Sequence, residues 1–414
     1  MTEIPKDKLP DSSLSLLGDG YEFISKRCER LQSDVFRTRL MLKPAVCMRG
    51  YEAARLFYDQ TRFQRQGATP GLLRNVLFGR GGVQGLDNEA HVRRKAMFMS
   101  MMTEESVENL AKRFENNWLK SLSKWTRQKR VVLFDESHEI LTRAVCSWAE
   151  VPLQPEEVEE RTRQFARMID DSGSVGPGHF RGRLARKRAE KWIGKIIRDV
   201  RSGRLKPSEN CALDAVAHYR GPEGGTLDTQ TAAVELINFL RPTVAIGRYI
   251  VFAALALNQH PEWRTRVAGN DADLENFVQE VRRISPFFPF VAAITRYDFT
   301  WRDYDFPADT RTLLDLYGTN RDPGIWREPD KFDPERFKGR EVDAFSLIPQ
   351  GGGDHHHNHR CAGEWITIEL MKKAVRLMTA AMDYEVPKQD LSVSLSRMPA
   401  IPKSRFVMSS VKQR

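Results

Sequence analysis

The chain has 414 residues, 41% of them hydrophobic and 29% charged, with a net charge of +10. That composition is ordinary for a globular cytoplasmic protein with a large core, and its length favours two or three domains. Five irregularly spaced cysteines exclude a disulfide framework, while the basic balance leaves nucleic acid, a membrane surface and acidic ligands open as partners.

Taken in chain order, residues 1–15 are polar and lack the apolar run of a leader or anchor. Residues 35–48 predict a β-hairpin turning at Lys43-Pro44. Residues 71–85 form a Gly-rich loop that carries Phe78 and Gln84. Helical periodicity dominates from Glu89 to about His260, broken by the SGSVGPG run at 172–178. In the basic stretch 181–201, Leu184, Ala185, Trp192, Ile196 and Val200 recur at helical spacing, which makes the charges a solvated face. No basic-aromatic interleaving points to nucleic acid. Residues 231–259 predict one long apolar helix. Its apolar core is interrupted by Arg248 and falls short of the roughly 20 residues a bilayer needs, so it reads as buried, not as a membrane span. Residues 274–285 predict a helix capped by Asp273, and 299–316 a hairpin around Pro307. An amphipathic helix over 364–382 and a strand-like tail over 384–411 complete the chain. The expected fold is mainly α with a small β-region. That region is built from both ends of the chain, so residues 1–414 are expected to form a single domain.

The most informative segment runs QGGGDHHHNHRCAG from Gln350 to Gly363. Cys361 stands just before a predicted helix, whose N-terminal partial charge favours thiolate over thiol. His359 and Arg360 add positive character, and three glycines let backbone approach a flat ligand. These are the needs of an axial thiolate on haem iron. Two other readings compete: a plain buried cysteine, and a zinc site drawn from His355, His356, His357 and His359. Adjacent histidines face different ways, which disfavours zinc.

Upstream, Glu280 and Arg283 stand three apart on one helix face. Then come Asp322-Pro323, Trp326, Pro329, Phe332 and the run Pro334-Glu335-Arg336-Phe337, whose arginine could close a Glu–Arg–Arg network. In this order the motifs resemble the cytochrome P450 superfamily over nearly the whole chain. The resemblance implies the P450 fold, a helical prism enclosing haem b, with Cys361 as proximal ligand and Glu280, Arg283 and Arg336 as a structural triad. Two departures stand out. Gln350 occupies the neighbourhood of the usual Phe with a longer run to the cysteine, and Ala362 follows it where Pro is common.

The long helix contains Arg241-Pro242. Proline removes a helical donor and costs about 3 kcal/mol or more inside a helix. An unpaired guanidinium among Leu236, Ile237, Leu240 and Val244 costs at least several kcal/mol. Two broken rules at adjacent residues mark a functional place. Arg241 pairs with a protein carboxylate, reaches the surface, or binds an anionic ligand. Here the sequence resembles the fatty-acid peroxygenase branch of the superfamily, as it does at GVQGLD (82–87), FVQEVRR (277–283), LDLYG (314–318) and IPQGGG (348–353). That resemblance implies hydrogen-peroxide-dependent hydroxylation of the α or β carbon of long-chain fatty acids, with no redox partner protein. The substrate carboxylate bound at Arg241, beside Pro242, would serve as the acid–base group. It also implies that Gln84 lies over the haem and favours hydroxylation over decarboxylation, and that Phe78, Val175 and Phe288 line the acyl channel. His91, Lys95 and Arg65 are the expected haem-propionate contacts. A reductase-driven monooxygenase relying on Thr243, and a non-catalytic haem sensor or carrier, are the rival functions.

Overall fold

The computed structural model describes residues 3–174, 176–221 and 224–414. Most of it is helical. The predicted long helix is present as two segments, Thr229–Ala245 and Gly247–Gln259, separated at Ile246. At that point the ladder tightens, with the Ile246 amide reaching the Thr243 carbonyl at 3.1 Å. Together they are apolar and long enough to cross a membrane, but 94% of the apolar window is buried, as in a core helix. Both segments lie against the helix Leu133–Trp148, and Leu236, Leu240, Val244 and Ile250 share one core cluster with its Leu141 and Val145 and with Phe114 and Trp118 of the helix Glu104–Trp125.

The helix Pro177–Arg201 crosses over the first segment and over residues 74–78. Its basic face is solvated except at Arg186. That side chain is buried, pairs with Glu190 at 2.6 Å and donates to the Leu77 and Phe78 carbonyls. Leu184, expected inside, is exposed. The helix that starts three residues after Cys361 is Glu364–Arg376, shorter than predicted because a wider turn over Leu377–Ala381 ends it.

The β-region draws on both ends of the chain, as expected. Strands Val35–Leu40, Lys43–Met48, Arg311–Asp315, Phe290–Thr295 and Phe63–Gln64 form one sheet in that spatial order. The first hairpin turns at Met41-Leu42, not at Lys43-Pro44. Both turn residues take the left-handed backbone (φ 52° and 62°) that tight hairpins use. Pro44 is instead paired with Arg39, one residue before the parallel pairing with Arg311 begins, where its missing N–H breaks no ladder bond to that strand. The second hairpin likewise turns at Arg302-Asp303, and Pro307 only follows it. Beyond it, Arg311–Asp315 leaves to join the large sheet. The helix Asp271–Ile284 is capped by Asn270, whose side chain accepts from the 272 and 273 amides; Asp273 lies inside the first turn and pairs with Arg266. In the tail only Met382–Glu385 and Val407–Gln413 are strands.

Candidate active site

The Gly-rich loop delivers Cys361 to the mouth of the Glu364–Arg376 helix. Its amide donates to the Gln350 carbonyl at 3.1 Å, and Gly351 and Gly353 adopt positive φ (93° and 82°) to make that return possible. Gln350 is itself tied down: it donates to Thr367 at 3.0 Å and accepts from Arg282 at 3.2 Å. Glu364, in the first turn of the helix, gathers Arg282, Arg360 (2.6 Å) and His355 (3.0 Å). Although burial opposes it, those partners hold its carboxyl well below the usual range. Burial pushes the Cys361 thiol up, against the pull of Lys95, the Gly363 amide and Arg282. An extra positive partner facing the sulfur is therefore what would make it a thiolate.

Across from this loop runs the helix Thr229–Ala245. Arg241 is 5% exposed and its Nε has no hydrogen-bond partner. Burial, with Arg186 nearby, pulls its pKa down to about 9, and Cys361 is the one group that raises it. No carboxylate pairs with it among the described residues. Pro242 offers no amide to the Asn238 carbonyl one turn earlier. The Thr243 hydroxyl is spent on its own helix, at 3.0 Å from the Phe239 carbonyl. One turn N-terminal, Asn238 gives its amide protons to Glu235 (3.0 Å) and Gln84 (3.3 Å), leaving its own Oδ1 without a partner. Glu235 in turn pairs with Arg94 at 2.5 Å.

The cytochrome P450 family model matches residues 273–406. The solved structure of cytochrome P450EX alpha with myristic acid is 44% identical and superposes with a TM-score of 0.98, covering 100% of each chain. That likeness decides the family. The chain belongs to the cytochrome P450 family. Cytochrome P450SP alpha in complex with (R)-ibuprophen is 47% identical over 98% of this chain and 99% of that one, with a TM-score of 0.96. A variant of cytochrome P450 OleT in complex with arachidonic acid is 35% identical over 100% and 99%, with a TM-score of 0.97. Among curated relatives, cytochrome P450 71A8 of Mentha piperita is 24% identical over 53% of this chain and 48% of its own length. The chain thus spans about half the length of the curated relatives it matches.

As in a P450, Glu280, Arg283 and Arg336 come together. Arg283 donates to both Glu280 oxygens at 2.7 and 2.8 Å, and Arg336 reaches the same carboxylate at 3.2 Å. The residues present also fit a haem. Arg65 and His359 line one cavity with Tyr58 and Asn358, and Cys361, two residues beyond His359, is half-buried. Arg65 and Lys95 bond backbone carbonyls but pair with no carboxylate among the described residues; those of Asn358 and Arg360 serve Lys95, that of Ala292 serves Arg65. Such free cations complement the two propionates of a haem. His91 stacks on His359 with ring centres 3.8 Å apart, and burial lowers its pKa to about 4. Phe78 and Phe288 are half-buried, the latter packed on the cluster of Tyr58, Leu314 and Ile348. Val175 lies outside the described residues. The sequence reading missed Glu235, Asn238 and Arg94. The signal was there: Glu235, Asn238 and Arg241 recur every third residue, a polar line on an otherwise apolar helix.

Proposed function

We propose that this P450 is a hydrogen-peroxide-dependent fatty-acid hydroxylase acting at the α or β carbon of long-chain acids, with some decarboxylation to terminal alkenes. The whole chain acts as one cytoplasmic catalytic domain, without a reductase partner. The observation that carries this reading is the buried, unpaired guanidinium of Arg241 on the helix facing Cys361. Haem b would be held by Cys361, with Arg65, His91 and Lys95 around its propionates. Once bound, it supplies peroxide activation and oxygen transfer to carbon.

The chain's own contribution is placement. Arg241 offers a fixed fork to the substrate carboxylate, in a site where water no longer competes for it. Binding gives the buried charge the partner it lacks within the protein. The carboxylate is held where it accepts a proton from peroxide and returns it, so it gains from proximity rather than from unusual basicity. Anchoring the head group leaves the α and β carbons as the nearest C–H bonds. The Gln84 amide, whose oxygen is taken by Asn238, keeps its N–H groups for the pocket. A reductase-driven monooxygenase would call on Thr243 for protons, and that hydroxyl is already committed to Phe239.

The test is Arg241→Ala, with haem content and the thiolate-type carbon monoxide spectrum checked first. Truncating one partner of a buried charge pair costs roughly 2–5 kcal/mol, about thirtyfold to several thousandfold in affinity. Fatty-acid binding and peroxide-driven turnover should fall together. Acetate should support peroxide activation on uncharged substrates in the wild type and not in the variant. Near-wild-type fatty-acid turnover in a correctly ligated variant would refute the anchor.

A further inference from the structure

Ten large hydrophobic residues are exposed among the described residues, and five of them gather at one place: Leu9, Leu14, Leu17, Met41 and Leu42. They are held together by built contacts. The Met41 amide donates to the Ser13 hydroxyl at 2.7 Å, and the Leu42 amide to the Asp11 carboxylate at 2.7 Å. The Ser12 amide reaches the Arg39 carbonyl at 2.8 Å. The tip of the first hairpin is thus pinned to the start of the helix Ser13–Asp19. On that helix Leu14 and Leu17 share a face, with Leu14 83% exposed. Across the turn Leu42 is 71% exposed. Scattered exposed leucines need no explanation, but a pinned cluster of five does.

The unpaired charge around the cluster is mainly basic; Asp19 at the end of the helix pairs with Arg27. Lys6, Lys8, Arg39 and Lys43 are exposed, and none pairs with a carboxylate among the described residues. Asp11, the acidic residue inside the cluster, is held by the amides of Ser13 and Leu42 and keeps its negative charge, which the four cations outnumber. An apolar tip ringed by unpaired cations is complementary to an anionic lipid surface, where leucines enter the acyl boundary and lysines meet headgroup phosphates. A second copy of the chain would bring the same four cations against each other.

We propose that this tip, formed by the Ser13–Asp19 helix and the Met41-Leu42 turn, is a peripheral docking surface for anionic lipid bilayers. Binding is reversible and involves no span. It places the protein where long-chain acyl groups partition.

The experiment uses the haem-loaded protein and vesicles of phosphatidylcholine alone or mixed in equal parts with phosphatidylglycerol. No fatty acid or peroxide is present, so the outcome is independent of the proposed peroxygenase activity. The wild type should sediment with the mixed vesicles, and high salt should release it. Each lysine at such a surface contributes about fivefold, so Lys8→Gln with Lys43→Gln should weaken binding about 25-fold. Leu14→Ser with Leu42→Ser should abolish binding to the mixed vesicles while leaving the melting temperature and haem spectrum in place. Leu42→Trp should shift its emission to the blue on mixed vesicles and be quenched by brominated acyl chains. The proposal is overturned if the wild type stays in the supernatant, if the double serine variant still binds, or if Leu42→Trp emission does not move. Concentration-dependent self-association of the wild type that the serine substitutions remove, without vesicle binding, would instead assign the patch to a second copy.

Discussion

Gln84 reaches the pocket with its orientation already decided. Its Oε1 accepts from Asn238, and Asn238 is fixed from behind by Glu235 and Arg94. Glu235 can only accept, so Asn238 must turn its NH2 toward it, and that NH2 then faces the Gln84 oxygen. Gln84→His keeps an acceptor for Asn238 but presents one ring nitrogen where the Gln places an NH2. The expected outcome is a larger terminal-alkene share with fatty-acid affinity within a few-fold of wild type, read by product analysis and spectral titration. An unchanged product ratio would remove Gln84 from any steering role. Asn238→Leu should disturb the same ratio and cost about 1–3 kcal/mol of stability, because Gln84 and Glu235 each lose a donor in a buried site. At this scale the sequence was legible where a residue broke a rule. Arg241 and Pro242 announce themselves in an apolar helix, and Cys361 follows a run of glycines. Asn238 shows in the sequence only as one member of the polar line Glu235, Asn238 and Arg241; its partner Gln84, more than 150 residues away, appears only when the loop is folded against the helix.

Whole helices were read well and turns poorly, for a physical reason. Periodicity over a dozen residues averages out local ambiguity, whereas a two-residue turn is chosen by backbone twist and strand register. Proline drew the predicted turns to Lys43-Pro44 and Pro307. The chain instead places Met41-Leu42 and Arg302-Asp303 in the left-handed region and keeps both prolines outside the turns. The Glu280–Arg283–Arg336 network was legible as spacing, and the structure supplies its purpose. Arg283 also donates to the carbonyls of Asn320 (2.9 Å) and Pro329 (2.8 Å), and Asp333 donates its amide to Glu280 at 2.9 Å. The pair therefore locks the helix Asp271–Ile284 to the segment that leads into the cysteine loop. Glu280→Ala would strand two guanidiniums, one fully buried, at a cost of about 3–5 kcal/mol. The variant should lose haem and unfold at lower denaturant than the wild type. Haem retention and an unchanged unfolding midpoint would show that the network does not secure the loop.

At the scale of the molecule, two buried groups far apart in sequence set opposing pH dependences. Asp315 is fully buried at the end of the central sheet. It accepts from Ser25 at 2.6 Å and from the Gly318 amide at 2.7 Å, yet burial outweighs both and raises its pKa to about 6. His138, buried against Phe134 and close to Arg248, is pushed down to about 4 by burial, and its Nε2 has no partner. Between about pH 4 and 6 the folded chain therefore holds a proton at Asp315 that the unfolded chain has released. Asp315 makes stability fall as pH rises through that window. Over the same window His138 is neutral when folded and protonated when unfolded, so it makes stability rise, and the two slopes largely cancel. Asp315→Asn removes one of them. The unfolding free energy of the variant relative to wild type should climb by about 1.4 kcal/mol per pH unit from about pH 4 to 6, near 3 kcal/mol in all, then level off. Replacing His138 with Phe should tilt the difference the other way, with the variant losing its relative advantage as pH rises. Denaturant midpoints of the haem-loaded proteins at matched pH values measure both. A flat difference for Asp315→Asn would mean that the carboxyl is already ionised in the folded chain, with Ser25 and Gly318 compensating its burial in full.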